Sequence, residues 1–307
     1  MGGSVMVVPA SILVAPAQGE TLMESVEPLL QFVAKHPRLL VLTGAGCSLA
    51  SGIPTYRDHA GVWQRNTPIQ HRDFLSRPAS RQRYWARSFA GWPAVAAARP
   101  NHAHRALAAL EQQGLIDLVV TQNVDRLHQR AGQRRVIDLH GALDEVVCLD
   151  CGGISPRSHM QLRLAACNPY LVTRGELAPD GDADVPDEWV SRVVVPPCER
   201  CGGVLKPNVV FFGDAVDRSL VQGIFASLEQ AQGLLVVGSS LMVFSGFRFV
   251  RHAHQQGIPV ACINPGLTRA DDLFDLKVAA DCGDTLTQLA LRLIGATAAE
   301  GVQSARS

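Results

Sequence analysis

At 307 residues, with 47% hydrophobic and 18% charged side chains, the chain can bury a substantial core, which excludes a disordered protein. Twenty-eight basic residues balance 28 acidic ones, so bulk charge does not draw it to nucleic acid. No run reaches the roughly 18 apolar residues of a membrane span, and no Lys or Arg precedes the apolar part of the first twenty residues, so neither a secretory signal nor a mitochondrial presequence is expected.

Residues 1–20 read as a flexible leader. Residues 39–42 form an apolar run of the length of a buried parallel strand, breaking into Thr43-Gly44-Ala45-Gly46. The small residues that follow, Ser48, Ala50, Ser51 and Gly52, let a helix start close against a ligand. Outward amides and the helix dipole would there suit a phosphate. An ordinary strand-to-helix turn fits this fragment equally well, because the full G-x-G-x-x-G spacing is absent.

Residues 56–100, rich in Arg, Trp and Phe with scattered prolines, read as a loop followed by short helices. A helix over 81–89 sets Tyr84 and Arg87 on one face, although an exposed helix with a half-buried aromatic explains the spacing as well. Residues 101–112 are helical and stop at Gly114. Residues 115–120 give a second strand, running into Gln122-Asn123-Val124-Asp125, and amides and carboxylates at parallel strand ends are where an open α/β sheet meets its ligand. A third short strand at 136–139 delivers His140, which either caps a turn or works at that rim.

Four of the eight cysteines form two C-x-x-C pairs, Cys148/Cys151 and Cys198/Cys201, each followed by Gly-Gly. Two such knuckles present four thiolates to one tetrahedral zinc, structural because no ligand position stays open. The segment between them, ending in the acidic run 178–188, reads as a long surface excursion. Residues 205–208 lead into the apolar run 209–214, which reads as a short strand or a peptide-docking edge. Helices at 219–230 and 247–255 then alternate with strands at 234–237, 259–263 and 278–280, and Asp284 caps a closing helix to about residue 294. This alternation predicts an α/β protein with a doubly wound parallel sheet whose strand-end loops line up as one rim.

In this order, GAGCSLASGIPTYR, TQNVDRLHQRAG, LHG, the two C-x-x-C pairs, PNVVFFGD, GSSL and INPG resemble the sirtuins, NAD-dependent protein deacylases, over roughly residues 37–295. RYWAR, LAPDGD, VVGSSL and the long insertion look most like class II, the subgroup of the fourth mitochondrial sirtuin of animals, in a bacterial cytoplasmic relative. The resemblance implies a Rossmann-like NAD-binding large domain from 21–55, 101–140 and 208–295, with a cofactor loop and helical part of the small domain at 56–100. A zinc-binding module at 141–207 and a tail at 296–307 complete it.

It implies that Gly44, Ala45, Gly46, Tyr56 and Arg57 contact NAD, and that Gln122 and Asn123 hold the nicotinamide ribose, Asn123 also serving catalysis. Asp125 receives the carboxamide and His140 is the general base. Gly238, Ser239, Ser240, Asn264, Pro265, Gly266 and Cys282 surround the adenosine half. Val209, Phe211 and Gly213 pair with an acyl-lysine peptide by strand addition. The reaction so implied consumes NAD and passes through an O-alkylimidate to lysine, nicotinamide and O-acyl-ADP-ribose.

Two positions depart from the family pattern: Thr55 stands where Asp is usual and Tyr56 where Phe is. Tyr84 and Arg87 match a Tyr-x-x-Arg pair that grips acidic acyl groups elsewhere in the family, which implies a preference for acidic or bulky acyl chains. Mono-ADP-ribosyl transfer to protein uses the same NAD cleavage, and a non-catalytic NAD-binding interaction module uses the same fold. His140 beside Asn123 and Asp125 argues against the second.

Overall fold

The computed structural model describes residues 12–14, 22–55, 69–172 and 181–304. Its centre is a seven-stranded sheet, every pairing parallel, in the order β1-β10-β9-β8-β2-β3-β4. These are β1 (Ile12–Val14), β2 (Leu39–Thr43), β3 (Ile116–Thr121), β4 (Val136–Asp138), β8 (Gly233–Val237), β9 (Val260–Ile263) and β10 (Leu276–Val278). Between them run α1 (Leu22–Lys35), α4 (His102–Gln112), α5 (Leu127–Arg130), α8 (Arg218–Gln230), α9 (Phe244–Gln255) and α10 (Cys282–Ser304).

Period-two alternation divides the strand side chains between two cores. Leu39, Val41, Leu235, Val237, Ala261 and Ile263 pack against α1, α4 and α10, whereas Leu40, Leu42, Leu234, Val236, Val260 and Cys262 pack against α8 and α9. A bulge keeps β3 in step. Leu39 pairs with Ile116 but Leu40 with Leu118, so Asp117 is skipped and meets Arg38 at 2.9 Å. Ile116 and Leu118 thereby enter opposite cores.

A third core surrounds a three-stranded antiparallel sheet in the order β6-β5-β7, made of β5 (Gly141–Cys148), β6 (Ile154–Pro156) and β7 (Leu205–Val209). Against it lie α2 (His71–Ser76), α3 (Pro78–Ala97), α6 (Arg157–Cys167) and α7 (Asp187–Arg192). Arg157 is buried here, its guanidinium 5.3 Å from the Trp85 ring and 5.1 Å from Trp92 while donating to Ser88. Burial lowers its pKa to about 10.

Several expectations need correction. Part of the leader is a strand, because Ile12–Val14 covers the otherwise open edge of β10. The closing helix starts at Cys282, is capped by Asp281 rather than Asp284, and its backbone continues through Ser304, past the expected fraying point. The helices of 56–100 are not all short, for α3 spans 20 residues and carries Pro93 within it. The segment between the knuckles is not simply a surface excursion. Met160 and Leu164 of α6 are core residues, and Asp182 and Ala183 are buried against α3. Gly91 permits this contact, since a Cβ there would collide with the backbone of Asp182. Among the described residues no helix is long and apolar enough to cross a membrane.

Candidate active site

The strand order reverses beside β2, which has β3 on one side and β8, next in sequence after a long detour, on the other. An open α/β sheet forms its ligand crevice outside the carboxyl ends of the strands at such a point. Here it is a cleft of about 1080 Å³, which runs from the ends of β2, β3, β8 and β9 to the mouth of the small sheet.

Its floor is built by three glycines meeting backbone to backbone. A Cβ on Gly44 would stand 2.7 Å from Cβ of Ser239, and one on Gly46 2.9 Å from the Gly238 carbonyl. Gly238 itself has φ +60°, with Cys47 N where its Cβ would go. The expectation that the turn's amides all point outward is corrected for its two glycines. Gly44 N–H donates to Val237 O at 3.0 Å and Gly46 N–H to Gly238 O at 2.8 Å, so these glycines serve close strand-end packing. The turn they open is a single 3₁₀ segment, Ala45–Ser51, rather than an α-helix.

Ser48 is the hub that the sequence did not reveal. Its hydroxyl donates to Asp125 Oδ2 at 2.7 Å and accepts from Asn123 Nδ2 at 2.9 Å, while Asn123 also donates to Gly44 O. Asp125 accepts Leu127 N–H on its other oxygen. Burial raises the Asp125 pKa, and the bonds from Leu127 and Ser48 oppose that shift. Gln122 donates to Ser239 at 2.8 Å, tying the ends of β3 and β8 together.

Behind Ser48 lie buried His104 and His128, held neutral by desolvation, with pKa values lowered to about 4 and about 3. His104 closes a capping box with Asn101, and His128 bonds Thr43 at 2.9 Å.

His140 leaves the end of β4 with both ring nitrogens engaged. Nδ1–H donates to Gln122 O at 2.8 Å, which places the lone pair of the neutral ring on Nε2, where the Ser245 hydroxyl donates at 2.8 Å. Burial lowers its pKa, with the Gln122 bond opposing and the Arg248 charge adding to the shift. Ser245 and Arg248 carried no sequence signal of their own.

Of the expected cofactor residues, Gly44, Ala45, Gly46, Gln122, Asn123, Asp125, Gly238, Ser239, Ser240, Asn264, Pro265, Gly266 and Cys282 all line this one cleft. Tyr56 and Arg57 lie outside the described residues. Val209, Phe211 and Gly213 line the opposite wall, where Val210 N–H donates to His140 O at 2.8 Å. Tyr84 lines the cleft too, packed edge-on against Phe74 and tilted against Phe211. Arg87 does not. It forms a two-point pair with Asp182, at 2.7 and 3.2 Å, and reaches Asp184 at 2.9 Å, so its charge is already met by two carboxylates. The expected Tyr84–Arg87 grip on an acidic acyl group is corrected for Arg87, because the acidic run read as solvated supplies its partners.

Apart from the cleft, the four cysteine sulfurs lie within 4.8 Å of one another, with Cys148 and Cys201 at 3.5 Å and Cys151 and Cys198 at 3.9 Å. Tetrahedral zinc with bonds of about 2.3 Å separates its sulfurs by about 3.8 Å, so the donor set fits one structural zinc. Each knuckle turns through a left-handed glycine, Gly152 at φ +67° and Gly202 at φ +76°.

A crevice at the switch point of a doubly wound sheet, faced by a neutral histidine and a carboxylate, defines a nucleotide-using enzyme with a zinc-held second sheet. The chain belongs to the Sir2 family, which residues 44–245 match. It is 53% identical over 268 residues to an NAD-dependent protein deacetylase of Bordetella bronchiseptica, covering 87% of this chain and 98% of that one. It is 47% identical over 278 residues to the human NAD-dependent protein lipoamidase sirtuin-4, mitochondrial, covering 89% and 88%, which fits the class II subgroup. Among solved structures, a Sir2–p53 peptide–NAD+ complex superposes with TM-score 0.69 at 29% identity, covering 89% of this chain and 98% of that one.

Proposed function

We propose that the protein is an NAD-dependent protein-lysine deacylase acting in the bacterial cytoplasm, where a reducing environment keeps the zinc thiolates intact. The observation that carries the reading is the tautomer of His140. Its Nε2 lone pair, fixed by the Nδ1–H bond to Gln122 O, sits in the same cleft as Asn123, Asp125 and the glycine floor. The named relatives and the peptide complex support it.

NAD supplies the ribose carbon that accepts the acyl oxygen as nicotinamide departs. The residues of this chain orient the partners and move the proton. Gln122, locked to Ser239, and Asn123, locked to Gly44 O and Ser48, fix the ribose side of the cleft. Asp125, held by Ser48 and Leu127 at a raised pKa, offers a carboxyl to the nicotinamide amide. His140 Nε2 takes a substrate hydroxyl proton, and its lowered pKa keeps it a base at neutral pH. Val209, Phe211 and Gly213 border the path of the acyl-lysine peptide.

Nicotinamide release from NAD, measured with a panel of acyl-lysine peptides for wild type and His140→Ala, tests this. Acyl-dependent release that falls at least about 100-fold in the variant, with zinc content unchanged, is the expected outcome. Release that ignores the acyl peptide indicates ADP-ribosyl transfer or NAD hydrolysis instead. Binding of NAD without release leaves a non-catalytic module.

A further inference from the structure

One rim of the cleft is crowded with arginines that no carboxylate among the described residues neutralises. Arg218 and Arg248 line the cleft, and Arg251 and Arg269 lie just outside. Three of these guanidinium groups converge on one ring: Arg248, Arg251 and Arg269 stand 5.4, 5.2 and 6.0 Å from the centre of Phe244, which is 45% exposed. Arg269 also stacks on Phe247 at 4.5 Å.

Among the described residues none of the four meets a carboxylate, whereas Arg87 has two and Arg126 has three. Nε of Arg248 is buried without a hydrogen-bond partner. Like charges gathered round an exposed ring repel one another, and in a chain of zero net charge their clustering is local. A bound anion removes that repulsion. The ring supplies an apolar contact and a cation–π support for the guanidinium planes.

The position of the cluster says where the anion sits. Ser245, which donates to the base His140, precedes Arg248 by three residues on α9, so the arginines flank the catalytic face. Val210 to Gly213 form the opposite wall. A peptide lying extended in this cleft with its acyl-lysine at His140 therefore passes between the two walls. Its neighbouring side chains reach the arginines, while the acyl chain points inward, toward Tyr84.

We propose that this arginine rim recognises carboxylate side chains flanking the acyl-lysine, so that the enzyme selects acidic segments of its protein substrates. The inference rests on the deacylase reading and adds the substrate class to it. Carboxylate is the matching group because guanidinium pairs with it in a two-point geometry.

The test measures binding and turnover separately. Fluorescein-labelled peptides carrying one neutral acyl-lysine, flanked by Asp and Glu, by Ala or by Lys, are titrated by anisotropy against wild type and against Arg251→Glu/Arg269→Glu at low and high salt. Wild type binds the acidic peptide about tenfold or more tightly than the Ala peptide. The charge-reversed variant brings that ratio to one or below, and high salt compresses it. Equal affinities in wild type, or a ratio unchanged in the variant, overturn the proposal. A parallel arm moves the carboxylate from the flank to the acyl chain. Discrimination confined to that arm, and lost with Arg248→Gln, also overturns it, in favour of acyl-group recognition. Failure of nicotinamide release while the binding ratio holds condemns the deacylase reading and not the rim. Release without any flank preference does the reverse.

Discussion

Histidines in three settings share one chain, and their surroundings give them different work. His140 keeps a lone pair on Nε2 with a pKa lowered from 6.5, chiefly by burial. The acid limb of the kcat/KM profile therefore has its midpoint below 6.5, activity being lost as pH falls through it. Ser245→Ala removes a donor that favours the neutral ring, and the same profile moves to higher pH. His104 and His128 are structural. Their folded pKa values, about 4 and about 3, lie below the unfolded 6.5, so between pH 6.5 and 4 the unfolded chain binds protons that the folded one refuses. Stability falls across that window as pH drops, by about 2 kcal/mol per histidine at pH 5. Urea melts at pH 7 and pH 5 register the loss, and His128→Asn reduces its pH-dependent part by about 2 kcal/mol. His140 was singled out only through the resemblance of LHG to the family motif, since a histidine after a strand and before a glycine fits a turn cap as well. Ser48 was not, since a serine in a glycine-rich turn looks alike whether it fills space or joins Asn123 to Asp125.

At the scale of elements, strand-end glycines decide how closely β2 and β8 approach. Gly238→Ala forces a Cβ onto Cys47 N at a positive φ, and a loss above about 2 kcal/mol is expected. Gly257→Ala, at φ +68° in open space, costs about 1 kcal/mol, and denaturant melts of the two variants read the difference. The central strands β2, β3, β8 and β9 could be read from their apolar runs because a buried parallel strand has no polar face to hide it, whereas β1 was hidden in the leader and β10, expected at 278–280, lies at Leu276–Val278. The small sheet was harder. Strand β5 mixes Asp144 and Glu145 with Val146 and Val147, since one acid answers Arg126 and the other answers both Arg126 and Asn208. The α3 contacts of Asp182 were invisible for a different reason: an acidic run is normally solvated, and only the fold brings Arg87 to it.

Across the whole molecule, the two sheets are joined where β4 ends and β5 begins, at His140-Gly141, and again where β7 gives way to Val210. The four cysteines sit at the far ends of β5 and β7, so a zinc held there would tie together the two strands that adjoin His140 and the proposed peptide wall. Chelation that extracts one equivalent of zinc abolishes deacylation and peptide binding, while the far-UV signal of the parallel sheet persists. Loss of both signals together would mean a single cooperative unit. Position 141 adds something further. Gly141 has φ +77°, a Cβ there would strike Asn208 O, and Val210 N–H holds the carbonyl of His140. The imidazole proposed to take the proton and the edge proposed to locate the lysine thus sit on one piece of backbone. If the small sheet tilts as substrates enter, gauge and tool tilt together, and their spacing is preserved while everything around them adjusts.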